Sequence, residues 1–161
     1  MEVIIIGCGK VGVTLADQLV REDHNVVMVD TSAERLQSFS EDIDAIKLVG
    51  NGASISTQLE AGVQTADILI AVTGSDELNL FCCLIAKKAG KCHTIARVRN
   101  PVYSNEIGFI KEQLGISMFL TPVLAAATAV ARLLRFHSAF KTDPFDLGKV
   151  ELLTFKITTQ F

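Results

Sequence analysis

The sequence predicts an α/β fold, a doubly wound parallel sheet of six strands in the order 3-2-1-4-5-6 with an added C-terminal crossover helix. Three observations carry this expectation. Short apolar runs rich in Val and Ile alternate with longer segments of helical periodicity, the pattern of a parallel sheet covered on both faces. A glycine-rich turn, Gly7-Cys8-Gly9-Lys10-Val11-Gly12, joins the first apolar run to the first helical segment. An acidic residue, Asp30, closes the second run.

Strands are expected at Val3–Ile6, Val26–Asp30, Ala45–Val49, Ile68–Val72, Thr94–Val98 and Ser117–Leu120, and a helix after each of the first five. From Val11 to Arg21, the apolar residues Val11, Leu15, Leu19 and Val20 share one helical face. The second helix is expected to start at Thr31 or Ser32, with Glu34 in its first turn and Leu36 and Phe39 inward. Asp76 or Ser75 caps a helix reaching about Ala89, with Gly90 as a left-handed terminator. Pro101 opens a helix to about Leu114, closed by Gly115. A further helix starts at Pro122 and runs through small and aliphatic residues to Arg135. Its apolar surface must cover the sheet or pack on another subunit. Phe136 to Asp146 loses periodicity, contains Asp143-Pro144 and reads as a linker. Lys149 to Thr158 alternates as a strand without partners in the chain, as at the start of another unit. The expected division is a nucleotide-binding domain at 1–121, helix and linker at 122–147, and the start of a truncated C-terminal lobe at 148–161.

Composition bounds the function. The 161 residues are 49% hydrophobic and 20% charged, with a net charge of -3, a balance that fits a globular domain and excludes a disordered chain. A mild acidic excess gives no general attraction to nucleic acid or anionic lipid. The run Val3–Ile6 is too short for a signal-peptide core or a membrane span, and Leu124–Leu134 carries Arg132 with Arg135 beside it. No direct membrane insertion is therefore expected. The four cysteines, Cys8, Cys82, Cys83 and Cys92, contain no pair at zinc-site or thioredoxin-like spacing, so a reducing cytoplasm is the expected setting. Cys82 and Cys83 read as core residues. Cys8 sits where a helix N-terminus lowers a thiol pKa, so it reads either as a packed residue or as a regulatory thiol.

The spacing G-x-G-x-x-G is weak alone, but here it follows an apolar strand, opens an amphipathic helix and is trailed by Asp30 at the end of the next strand. Together these make the Rossmann fingerprint of adenine dinucleotide binding. Gly7 permits the tight turn, Gly9 lets backbone approach a pyrophosphate, and Gly12 lets helix pack on strand. The helix N-terminus offers free amides and a positive dipole to phosphate. Asp30 is expected to accept bonds from the adenosine ribose hydroxyls and to oppose a 2′-phosphate, favouring NAD, ADP or ATP over NADP; the alternative is a cap for the next helix.

Other candidates follow, several with an alternative reading. Lys10 meets a phosphate or is a solvated lysine. Arg35 reaches the adenine side or faces solvent. Gly50-Asn51-Gly52 faces adenosine or merely turns the chain. Thr73 and Gly74 follow the fourth strand, beside the switch point where ligands bind such sheets. Asp76 and Glu77 read as capping acids, and Arg97 and Arg99 as a pair on one face meeting phosphate or an acidic partner. His24, His93 and His137 form no acid-base pair, so no catalytic residue and no metal ligand is assigned.

Taken together, the stretches Ile4-Ile-Ile-Gly-Cys-Gly-Lys-Val-Gly12, Val29-Asp-Thr31 with Glu34-Arg-Leu36, Val49-Gly-Asn-Gly52, Leu59-Glu-Ala-Gly62, Ala66-Asp67, Ala71-Val-Thr73 with Asp76-Glu-Leu-Asn79, and Ile95-Ala-Arg-Val-Arg-Asn-Pro101 resemble the N-terminal nucleotide-binding module of the regulators of potassium conductance. The likeness is greatest to the cytoplasmic regulatory subunits of Trk-type potassium uptake systems. It implies NAD(H) or ATP/ADP bound by Gly7, Gly9, Gly12, Asp30, Thr73 and neighbouring positions; joined to the candidates read from the residues, the expected site is Gly7, Cys8, Gly9, Lys10, Val11, Gly12, Asp30, Thr31, Arg35, Gly50, Asn51, Gly52, Thr73, Gly74 and Arg97. It also implies a homo-oligomer, with modules paired through the helix at 122–135 and assembled into a ring beneath a membrane-embedded potassium-translocating subunit. Such a chain is cytoplasmic and peripheral to the inner face of the membrane. Asn51-Gly52 departs from the Asp or His commoner there in the family. The rival reading is an NAD-dependent oxidoreductase fragment lacking its catalytic domain, which would need an acid-base residue in a substrate lobe. A redox-sensing transcription factor would need a basic DNA-binding segment, and none is visible.

Overall fold

The computed structural model describes residues 1–38, 43–135, 141–145 and 150–154. Phe39, His137, the linker segments at 136–140 and 146–149 and the strand expected beyond 154 lie outside the described residues. Chain contacts divide into two units, Met1–Thr121 and Pro122–Phe161.

The first unit is a six-stranded, all-parallel sheet. Its strands are β1 (Glu2–Ile6), β2 (Asn25–Asp30), β3 (Ile46–Val49), β4 (Ile68–Ala71), β5 (His93–Arg97) and β6 (Met118–Leu120), in the spatial order β3-β2-β1-β4-β5-β6. The intervening helices are α1 (Lys10–Arg21), α2 (Ala33–Ser38), α3 (Ile55–Glu60), α4 (Asp76–Ala89) and α5 (Pro101–Leu114). Strand order reverses between β1 and β4, where Ile6 pairs with Ala71 on one side and with Val29 of β2 on the other. The expected sheet and order are those observed.

Alternation along the central strands builds two cores. Val3 and Ile5 of β1 join Met28 of β2 under Ala16 of α1 and Leu36 of α2. Ile4, Ile6, Val29 and Leu69 point the other way and pack against Cys82, Cys83 and Ala86 of α4. A period of two in strands buried on both faces dictates this division.

The helix ends follow their local chemistry. Ser75 caps α4, its side chain accepting from the Leu78 N–H, and Asn100 caps α5, with Pro101 at the first turn. Gly115 closes α5 in the left-handed conformation, φ 65°. Gly90 differs from expectation. It is extended (φ -144°, ψ -169°), and glycine is required for packing, since a Cβ there would lie 2.3 Å from the Val63 carbonyl oxygen.

In the second unit, α6 spans Pro122–Arg135, and β7 (Lys141–Phe145) pairs antiparallel with β8 (Val150–Thr154). This corrects two expectations: 141–145 is strand rather than linker, and the strand near 150 has a partner. In a two-stranded ribbon every strand is an edge strand, so Pro144 is tolerated opposite Glu151. Among the described residues no helix is long and apolar enough to cross a membrane.

Candidate functional site

The carboxyl ends of the strands open on a crevice of about 580 Å³ in the first unit, set at the reversal of strand order. In this class of sheet, ligands bind there. Its floor is Ile6, Val29 and Val72, its near rim the turn from β1 into α1, and its two ends are built by the β2 and β3 loops and by the β4 and β5 loops.

The turn is shaped by its glycines. Gly7 has φ +109°, and a Cβ on it would lie 3.0 Å from the Thr73 backbone nitrogen; the backbone there needs both the conformation and the space. Gly7 N–H donates to the Val29 carbonyl at 2.8 Å. Gly12 is buried beneath the turn, where a Cβ would come within 2.0 Å of the Gly7 carbonyl oxygen. Gly9 is the opposite case: a Cβ there would meet no protein atom within 4 Å. Gly9 is also the N-cap of α1, and no side chain caps that helix and no acid stands in its first turn. An uncapped helix N-terminus of 12 residues thus opens on the crevice through a position kept bare of side chain, the arrangement that receives a phosphate.

Asp30 is 8% exposed and bonds in two directions. Its Oδ2 accepts the Cys8 N–H at 2.7 Å and its Oδ1 accepts the Ser32 N–H at 2.9 Å. The carboxylate therefore ties the glycine turn to the start of α2, while the N-cap of that helix is Ser32, whose hydroxyl accepts from Arg35 N–H at 3.2 Å. Each carboxylate oxygen retains a further lone pair, and the residue lines the crevice. Arg35 lines the same end, its guanidinium 3.9 Å from Asp30 Oδ2 and largely exposed.

Of the candidates from sequence, Gly7, Gly9, Lys10, Val11, Asp30, Thr31, Arg35, Gly50, Asn51, Gly52, Thr73, Gly74 and Arg97 all line this one crevice. Gly12 does not, because its part is packing. Cys8 contributes its backbone; its side chain joins the core with Ala16 and Val72. Burial, and then the Asp30 charge, push the Cys8 thiol up to about 12, the reverse of the depression expected at a helix N-terminus. Burial likewise raises Cys82 to about 12 and raises Cys83 and Cys92. All four thiols are buried and free, so a thiol-reactive chromophore is expected to label none of them within minutes in the native chain and all of them in denaturant. A rapidly labelled Cys8 would restore the regulatory thiol.

Sequence reasoning missed the network that holds the far end of the crevice. Asn79 is fully buried; its Oδ1 accepts from Thr73 N–H at 2.8 Å and Thr73 Oγ1–H at 2.7 Å, while its Nδ2 donates to the Arg97 carbonyl at 2.9 Å. Asp76, expected as a cap, instead reaches across to the loop after β5. It accepts from the Arg99 and Asn100 N–H groups at 2.8 and 2.7 Å and pairs with the Arg99 guanidinium, which also donates to the Gly74 carbonyl. Arg97 and Arg99 therefore act separately rather than as a pair. Arg97 lines the crevice, its Nε buried without a protein partner, and Arg99 is spent on Asp76.

Burial opposes ionisation of Asp76, but the bonds from Asn100 and Arg99 outweigh it and hold its pKa below the ordinary carboxylate value. A depressed folded pKa stabilises the fold above the ordinary value, and the contribution is lost as pH falls through the folded one. Asp76→Asn is accordingly expected to flatten the acid limb of a urea-midpoint profile, and Asp76→Ala to cost about 1–3 kcal/mol at neutral pH. An unchanged acid limb would refute the assignment.

Fold and crevice together define a doubly wound α/β domain of the Rossmann class. Residues 3–122 match the TrkA-N domain family, and the chain belongs to that family. It is 36% identical over 157 residues to the Trk system potassium uptake protein TrkA homolog of Archaeoglobus fulgidus, covering 98% of this chain and 36% of the relative. To the Trk system potassium uptake protein TrkA of Halomonas elongata it is 35% identical over 158 residues, covering 97% and 35%. The chain thus spans just over a third of the length of these curated relatives. Among solved structures, the fold is shared by the TrkA-N domain of the Escherichia coli inner membrane protein ybaL (TM-score 0.72, 22% identity, 83% of this chain and 96% of that one). It is shared too by the GsuK channel bound to NAD (0.64, 21%, 75% and 21%) and the Shewanella denitrificans Kef C-terminal domain in an AMP-bound form (0.65, 20%, 86% and 82%).

Proposed function

We propose that the chain is the nucleotide-sensing module of a cytoplasmic regulatory subunit of a potassium uptake system, binding NAD(H) or ATP/ADP in the crevice. The observation that carries this reading is the uncapped N-terminus of α1 behind Gly9, with the Asp30 carboxylate at the adjoining end. Phosphates meet the helix amides and dipole, and ribose hydroxyls meet the free lone pairs of Asp30. Names of relatives (potassium uptake proteins) and ligands of structural neighbours (NAD, AMP) support it. The rival oxidoreductase reading needs an acid-base residue from a substrate lobe, because among the described lining residues the only carboxylate is Asp30, bonded to the Cys8 and Ser32 amides, and none is histidine.

In this reading the module acts on a membrane-embedded potassium-translocating partner from its inner face. The exposed apolar residues Val123, Leu124, Val130 and Leu134 of α6 pair it with another copy, as a step toward a ring. Nucleotide biases the partner between closed and open only if it binds the module with different affinity in the two states. Titration calorimetry of the chain with NAD, NADH, ADP and ATP tests the first half of the proposal, and potassium flux into vesicles holding the full regulator and its partner tests the second. Binding of at least one of these ligands and a nucleotide-dependent flux are expected. Flux indifferent to every nucleotide that binds would reject the gating role.

A further inference from the structure

We infer that Gln58 is a positioning residue for the adenosine end of the crevice, an assignment that rests on the nucleotide reading above. The short helix α3 inverts the usual burial order: Ile55 and Leu59 are 48% and 44% exposed, whereas Gln58 between them is 1% exposed. Burying a side-chain amide is unfavourable unless its bonds are met. Here they are met on one side only. Nε2 donates to the Gly52 carbonyl at 2.7 Å and the Cys82 carbonyl at 3.0 Å, while Oε1 is buried without a partner. Two carbonyls can be faced only by the NH2 group, so the orientation of the amide is fixed by its surroundings. An apolar residue would fill the position without the unmet acceptor. What the glutamine adds is a tether between two elements that border the crevice.

One of these is the loop Gly50-Asn51-Gly52, which lines the crevice beside Asp30. Gly50 N–H donates to the Asp30 carbonyl at 2.9 Å, and Gly52 lies so flat on the floor that a Cβ would come within 2.2 Å of Ile6 Cγ2. The other is α4, whose first turn, with Ser75 and Leu78, lines the opposite end. Gln58 sets the height of the loop over Ile6 by holding the Gly52 carbonyl to the middle of α4. In a sheet of this class the adenosine lies over the β2 and β3 ends and the pyrophosphate at the α1 N-terminus. The tether therefore shapes the adenosine end and leaves the phosphate end untouched.

The test compares AMP with inorganic pyrophosphate as probes of the two ends, using the 161-residue chain and its Gln58→Leu variant, each followed by NMR titration. Gln58→Leu is expected to weaken AMP roughly fivefold to tenfold, the equivalent of one lost hydrogen bond, and to leave pyrophosphate unchanged. Equal AMP affinity in a folded variant overturns the inference, as does a parallel loss for both probes, which marks a general structural role. In the wild-type chain the Gln58 side-chain NH2 resonances report independently of any variant: AMP is expected to shift them, and resonances unmoved at saturation overturn the assignment. A wild-type chain that binds no AMP at all rejects the nucleotide reading itself, an outcome distinct from a failure of the tether.

Discussion

Gly9→Ala is expected to leave the fold intact and remove nucleotide binding, whereas Gly12→Ala, three residues away in the same turn, is expected to destabilise the fold itself. At Gly9 a Cβ meets no protein atom within 4 Å, and the backbone is extended with φ -76°, so alanine is sterically free. Glycine and alanine at an N-cap differ by about 1 kcal/mol or less. The methyl would instead occupy the space a phosphate needs to reach the α1 amides, and a loss of affinity of roughly a hundredfold is expected, about 2.7 kcal/mol of close-range contact. At Gly12 a Cβ would overlap the Gly7 carbonyl oxygen at 2.0 Å, and that atom is backbone, unable to rotate away. Helix and turn must separate, at about 3 kcal/mol, the upper end of overpacking costs. Calorimetric titration with NAD and urea unfolding of both variants decide the matter. A Gly9→Ala chain that binds as the wild type does would show that phosphate does not approach there.

This contrast also shows what the sequence makes visible. Glycine spacing after an apolar strand announces the turn, because a steric requirement leaves a residue-type signature, and the first four strands announce themselves through short runs rich in Val, Ile and Leu bounded by turn residues. The division of labour among the glycines is not legible, since both glycines are simply absent side chains until the opposing backbone is known. Asp76 follows the same logic. Ser75-Asp76-Glu77 before an apolar segment is a helix start in any fold, and only the Arg99 and Asn100 amides, 23 and 24 positions on, turn the acid into a cross-loop tie. Gln58 is invisible for a related reason: a glutamine in a polar stretch reads as surface, and its burial depends on α4 packing over it. Cys8 shows a rule applied at the wrong atom. The dipole of α1 favours a thiolate near its N-terminus, but the side chain turns into the core, where desolvation and Asp30 dominate. The ribbon of β7 and β8 is hidden because Asp143-Pro144 breaks a central strand and not an edge.

Asp30→Ala is expected to damage both the turn and the ligand site, and Asp30→Asn to alter which ligand is preferred. Alanine leaves the Cys8 and Ser32 amides, now held at 2.7 and 2.9 Å, without their acceptor. The first lies in a buried residue, so about 1–3 kcal/mol of stability is expected to go with it. Ribose hydroxyls lose a charged acceptor, which corresponds to roughly tenfold to a hundredfold in AMP affinity. Asparagine keeps the size but only one acceptor oxygen, and its NH2 faces the other amide N–H, so it is expected to retain one of the two bonds, to cost stability of the same order as alanine, and to remove the negative charge. A 2′-phosphate is then no longer repelled, and Arg35, 3.9 Å from the Asp30 carboxylate and mostly exposed, is released from a pairing that solvent already weakens. The expected result is a narrowing of the preference for NAD over NADP by about tenfold, through loss of NAD affinity and gain of NADP affinity together. Competition titrations of the two dinucleotides against wild type and Asp30→Asn measure it directly. If both affinities fall in step, the carboxylate serves only to hold the turn, and the ribose is read elsewhere.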